Sequence, residues 1–103
     1  MNKDTPLTEA VFYILLAVRK PKHGYGIIQE VENLTDGRVV LGAGTLYGAI
    51  NSLLKKQWIA LYSEDKHSRK KKEYLITDKG LLAFKKEVDR LKKLIELSAL
   101  MEN

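Results

Sequence analysis

With 103 residues, 45% of them hydrophobic and 30% charged, the chain is sized and composed for one globular domain with a modest core. It has no cysteine, which excludes disulfides and thiolate metal sites, and its longest apolar run, Val11 to Val18, is too short to span a bilayer. A net charge of +5 favours an anionic partner, nucleic acid before a membrane surface.

The first residues, Met-Asn-Lys-Asp-Thr-Pro, lack the basic region, apolar stretch and cleavage site of a signal peptide, so a cytoplasmic protein is expected. Thr5-Pro6 predicts an N-cap with proline at the first helical position, where its missing N–H costs nothing. Val11, Ile14, Leu15 and Val18 then follow the spacing of a helix with one buried face, which Lys20-Pro21-Lys22-His23-Gly24 ends. A second helix is predicted from about Tyr25 to Thr35, burying Ile27, Ile28, Val31 and Leu34. Gly24 and Gly26 are expected to let the chain turn tightly into it. Asp36-Gly37 stops it with residues that tolerate the left-handed conformation, and Arg38-Val39-Val40-Leu41 reads as a short β-like link.

The third helix is predicted from about Gly44-Thr45 to Lys56. On a helical wheel Leu46, Ala49, Ile50, Leu53 and Leu54 fill one face, and Gly44, Tyr47, Gly48, Asn51, Ser52 and Lys55 the other. Trp58 to Ser63 and Lys72 to Thr77 read as strands rich in aromatic and β-branched residues, with Glu64 to Lys71 as a projecting polar loop. Thr77-Asp78 caps a last helix, about Lys79 to Met101. The expected fold is mostly α with a small β-hairpin wing: a winged helix-turn-helix over residues 1–77 and a long C-terminal helix over 78–103.

The third helix is the candidate reader of bases. A major groove about 12 Å wide admits one helix if its outer face can approach the base edges. Gly44 and Gly48 keep that face low, and Thr45 is counted among the DNA-contacting candidates. Asn51 can bond adenine N6 and N7, Tyr47 can reach a phosphate or a thymine methyl, and Lys55 suits a phosphate. Any amphipathic helix has a polar outer face, but two glycines and an outward tyrosine are unusual on one that meets only solvent. Gly48 costs roughly 1 kcal/mol of helix propensity relative to alanine, which suggests close approach. Lys66, Arg69, Lys70, Lys71 and Lys72, with His67 beside them, form a basic hairpin tip suited to straddling a phosphate strand or inserting Arg69 into a minor groove.

On the last helix Leu81, Phe84, Val88, Leu91 and Ile95 form a heptad seam, broadened by Leu82, Leu94, Leu97 and Met101. This is more apolar surface than one helix can hide, so a dimer is expected, with Leu81, Phe84, Val88, Leu91, Leu94 and Ile95 at its interface. Trp58 is expected in the core. His23 and His67 have no companions at metal spacing, so neither a metal nor a cofactor is expected. With no nucleophile–base pair in view, the chain reads as a non-enzyme.

Four segments in order carry a resemblance: Leu7–Ala17 (LTEAVFYILLA), His23–Ile27 (HGYGI), Gly44–Ile50 (GTLYGAI), and Arg69–Tyr74 (RKKKEY) running into Leu75–Gly80 (LITDKG). In these the chain resembles the PadR family of transcriptional regulators along nearly its whole length. The resemblance implies a homodimeric bacterial repressor that binds pseudo-palindromic double-stranded DNA and is released by a small-molecule effector. It also implies that Tyr47 is the family's tyrosine on the reading helix and that Arg69 to Lys72 match its wing. The single C-terminal helix is similar to that of the small subgroup. That helix has Phe84 as its one aromatic residue, a departure from members that hold flat aromatic drugs with tryptophan there. A reading from another class is a winged-helix adaptor that binds a protein partner and no DNA.

Overall fold

The computed structural model describes residues 5–64 and 72–102, so the expected wing tip (Lys66, His67, Arg69, Lys70 and Lys71) lies outside the described residues. The elements are α1 (Glu9–Ala17), β1 (Lys22–His23), α2 (Gly24–Leu34), α3 (Ala43–Lys55), β2 (Ile59–Glu64), β3 (Lys72–Ile76) and α4 (Asp78–Ser98), with a terminal 3₁₀ turn at Ala99–Glu102. This is the winged helix-turn-helix with a long last helix that the sequence predicts.

The three short helices meet in one core. Ile14, Leu15 and Val18 from α1 and its end, Ile27 and Val31 from α2, and Leu46, Ile50 and Leu53 from α3 are at most 1% exposed. Each such side chain contributes about 1.5–3 kcal/mol on burial. Ile59 and Tyr74 close the core from the sheet. The strands run β1-β3-β2, all antiparallel, with β3 in the middle. Tyr62 has no opposite residue, because the register steps from Leu61↔Tyr74 to Ser63↔Glu73. Such a bulge bends the hairpin and increases its twist where it leaves the core.

Several local expectations are corrected. Helix α1 is capped by Thr8, whose hydroxyl accepts from the Val11 N–H at 3.1 Å, and not by Thr5. The start is later because Leu7 packs against the core while Glu87 of α4 accepts a hydrogen bond from its backbone. Arg38 to Leu41 is not a strand. The free edge of β3 is taken by Lys22–His23, and the 38–41 link is held instead by the Val39 N–H donating to Thr35 Oγ1 and by Arg38 pairing with Glu9. Leu34 is 48% exposed, because the last turn of α2 overruns the core. Gly24 and Gly26 do not adopt positive φ, so they do not serve as a turn. The left-handed stop after α2 is as expected, with Asp36 at φ 50° and Gly37 at φ 80°.

Candidate nucleic-acid interface

The buried face of α3, Leu46, Ile50 and Leu53, fixes the helix's rotation about its axis, with Ala49 and Leu54 half-buried beside it. Gly44, Thr45, Tyr47, Gly48, Asn51, Ser52 and Lys55 are exposed on the other side, the division that the wheel predicts. A side chain at Gly44 or Gly48 would meet nothing within 4 Å, so no packing within the described residues requires glycine at either place.

Tyr47 is 45% exposed, yet it is not a free side chain. Its ring lies across to the first residue of α2. A Cβ added at Gly24 would overlap the Tyr47 hydroxyl oxygen and come within 2.8 Å of Cζ. Burial pushes the Tyr74 phenol above its usual range, and Tyr47 and Glu64 add to the effect. This seat is invisible in the sequence. No local pattern links Gly24 to a residue 23 positions later, and only the packing of α2 on α3 brings them together.

Two acidic residues beside the first helices, Glu30 and Glu9, are held in ion pairs. Glu30 of α2 bonds Arg19 at 2.7 Å and Lys22 at 2.5 Å. Partial burial pushes its carboxyl up, but the hydrogen bonds from Lys22 and Arg19 outweigh that and hold it below the usual range. Glu9 accepts from Arg38 and, at 3.0 Å, from the Tyr13 hydroxyl, and the Arg38 bond is the main cause of its lowered pKa. At the root of the hairpin Lys72 lies 3.9 Å from Glu64, so part of its charge is balanced within the ladder. Lys55 is exposed at the end of α3, and Lys56 sits over the Trp58 ring, 4.7 Å from its centroid.

The first turns of α4 are locked to the domain. The Thr77 N–H donates to the Trp58 carbonyl at 3.0 Å, and its hydroxyl donates to the Gln57 carbonyl at 2.6 Å. Phe84 stacks on Phe12 of α1 with ring centroids 4.6 Å apart, so it is in part withdrawn from the expected dimer seam into the chain's own core. Val88 and Leu91 are half-buried, and Leu81 is 41% exposed. From Lys92 to Glu102 every residue is exposed, including Leu94, Ile95, Leu97, Leu100 and Met101. Glu87 is 6% exposed and bonds Arg90 at 2.7 and 2.8 Å. Those bonds hold its carboxyl below the usual range despite burial, helped by the Leu7 backbone. Beside it a cleft of about 210 Å³ lies between Leu7, Trp58, Leu82, Lys79, Lys86 and Arg90.

No helix among the described residues is long and apolar enough to cross a membrane. A helix clamped by its apolar face against a second helix, backed by a hairpin and presenting a low polar face, defines a winged-helix DNA-binding protein. The chain belongs to the PadR-like family of transcriptional regulators, which its residues 13–86 match. Proteins of this family are DNA-binding regulators, not enzymes. An uncharacterised protein of Lysinibacillus sphaericus is 35% identical over 86 residues, covering 80% of this chain and 79% of that one. A PadR family transcriptional regulator from Eggerthella lenta has a similar structure, with a TM-score of 0.73, 26% identity, and coverage of 90% of this chain and 81% of that one. A transcriptional regulator from Clostridium thermocellum also gives a TM-score of 0.73, at 22% identity over 86% of this chain and 87% of that one.

Proposed function

We propose that the protein is a cytoplasmic, homodimeric repressor that reads a pseudo-palindromic operator. Residues 1–77 form the reading unit and residues 78–103 join two copies. Helix α3 enters the major groove: Tyr47 and Asn51 face the base edges, Gly44, Thr45 and Gly48 allow close approach, and Lys55 holds a phosphate. Lys66, Arg69, Lys70, Lys71 and Lys72 contact the DNA backbone beside the groove. The observation that carries this reading is the open, low face of α3, set opposite a face that is almost wholly buried.

Two copies joined through α4 place two reading helices about a two-fold axis, and so address half-sites about 34–36 Å apart or a multiple of that. The exposed Leu94, Ile95, Leu97, Leu100 and Met101 supply the pairing surface. A small-molecule effector that relieves repression has the cleft beside Trp58 available, where Trp58 leads into β2 and the cleft's other wall is α4.

Selection of bound sequences from a random DNA pool tests the reading. Enrichment of an inverted repeat supports it. A folded dimer that retards no DNA at low salt overturns it in favour of the protein–protein adaptor. Neutralising Arg69, Lys70 and Lys71 together should flatten the slope of log K against log salt by up to about 0.9 for each phosphate that is no longer neutralised. An unchanged slope removes the wing from the interface.

A further inference from the structure

Gly24 has no side chain, is buried, and does not use a glycine-only backbone conformation. What requires glycine is the Tyr47 ring lying over it: a methyl there would overlap the hydroxyl oxygen and come within 2.8 Å of Cζ and 3.2 Å of Cε1. Because the ring tip rests against Gly24, the outward half of Tyr47 has a defined direction on the open face of α3. An unseated tyrosine at an exposed helix position would instead sample several rotamers and lose entropy on binding.

We propose that Gly24 is a positioning residue for DNA recognition, a seat on α2 that sets the orientation of Tyr47 on the reading helix. This rests on the reading of α3 as the DNA-contacting helix. The atoms in the way of a Gly24 methyl belong to the far end of a half-exposed side chain, which can swing into solvent at little cost to the fold. Alanine also has the higher helix propensity. Gly24→Ala therefore leaves stability unchanged or raised while moving Tyr47 off its seat, so stability and affinity change in opposite directions.

The test is a double-mutant cycle with two readouts on the full chain. The first is affinity for the selected DNA site, for wild type, Gly24→Ala, Tyr47→Ala and the double variant. Gly24→Ala should weaken binding about five- to tenfold, the lower part of the range for removing one specific base interaction. In the Tyr47→Ala background the same change should alter affinity by less than about twofold, since coupled residues are not additive. Thermal unfolding should give Gly24→Ala a Tm at or above that of wild type. Equal affinity of Gly24→Ala and wild type, or losses that multiply independently, overturns the proposal. The second readout needs no DNA: the NMR resonances of the Tyr47 ring should shift in Gly24→Ala while core methyls such as those of Leu53 stay in place. An unmoved ring overturns the seat. If wild type binds no DNA, the interface reading fails, and this arm still decides whether Gly24 seats Tyr47.

Discussion

Gly80→Ala should damage the fold far more than its size suggests, and the structure gives the magnitude. Gly80 is buried in the first turn of α4, with its N–H donating to Thr77 Oγ1 at 3.0 Å. An added Cβ would overlap the Trp58 carbonyl oxygen, lie 2.8 Å from the Trp58 carbonyl carbon and 3.0 Å from Ile76 Cγ1. The Trp58 atoms are backbone, so no rotamer change clears them. To restore ordinary spacing the start of α4 must retreat by roughly 1 Å or more. That retreat stretches the Thr77 N–H bond to the Trp58 carbonyl, now 3.0 Å, and the Thr77 hydroxyl bond to the Gln57 carbonyl, now 2.6 Å. Overpacking costs about 1–3 kcal/mol and each hydrogen bond about 1, against a helix-propensity gain of at most about 1. The net is a destabilisation of about 2–4 kcal/mol, which for a chain of this size lowers Tm by roughly 10–30 °C. Circular dichroism melts and urea titrations followed by the fluorescence of the lone tryptophan, Trp58, measure it. Protein concentration must be held constant, since any self-association shifts Tm. A Gly80→Ala variant within about 0.5 kcal/mol of wild type would refute the backbone contact as the reason for glycine there.

Gly48→Ala is the opposite case: with nothing within 4 Å of the added methyl, stability should rise by about 0.5–1 kcal/mol while DNA affinity falls. Unchanged affinity in a gel-shift titration would show that α3 does not need a low face at that position. Glu87 has a lowered pKa in the folded chain. Its contribution to stability is therefore present above the unfolded value of about 4.3 and disappears as pH falls through the folded value. Glu87→Gln should be less stable than wild type at pH 7, with the gap narrowing below about pH 4, and a gap independent of pH would refute the carboxylate's role. Ile95 is 70% exposed on the free end of α4, so Ile95→Glu should convert a dimer into a monomer of 11.7 kDa with its helical signal largely kept. Light scattering that still gives twice the chain mass would move the pairing surface elsewhere.

The elements with strong periodicity were legible in the residues alone. The two faces of α3 follow from apolar spacing because one helix face is either buried or solvated, and a 3.6-residue period tells the two apart. The end of α2 at Asp36-Gly37 was legible for a different reason: positive φ is costly for most side chains. Less was legible where two residues carry no period. Lys22–His23 is a strand only because Tyr74 and Glu73 lie opposite, whereas the more β-like Arg38 to Leu41 finds no sheet edge. The start of α1 moved from Thr5 to Thr8 because Leu7 is drawn into the core. The apolar seam of α4 was visible as a pattern, but its division was not: Phe84 meets Phe12, and the residues beyond Leu91 meet solvent.

The sequence by itself determined the order of the four helices and the two longer strands, the inward and outward faces of α3 and the basic stretch after β2, because each follows from short-range spacing and charge. The tertiary structure alone decided what the glycines are for. Gly24 and Gly80 both precede or open helices in the sequence and look alike there. In the fold one lies under a movable tyrosine ring of α3 and the other against an immovable carbonyl of Trp58. The absence of a side chain becomes informative only once the neighbour that occupies its space is known, and that neighbour is supplied by packing between residues distant in the chain.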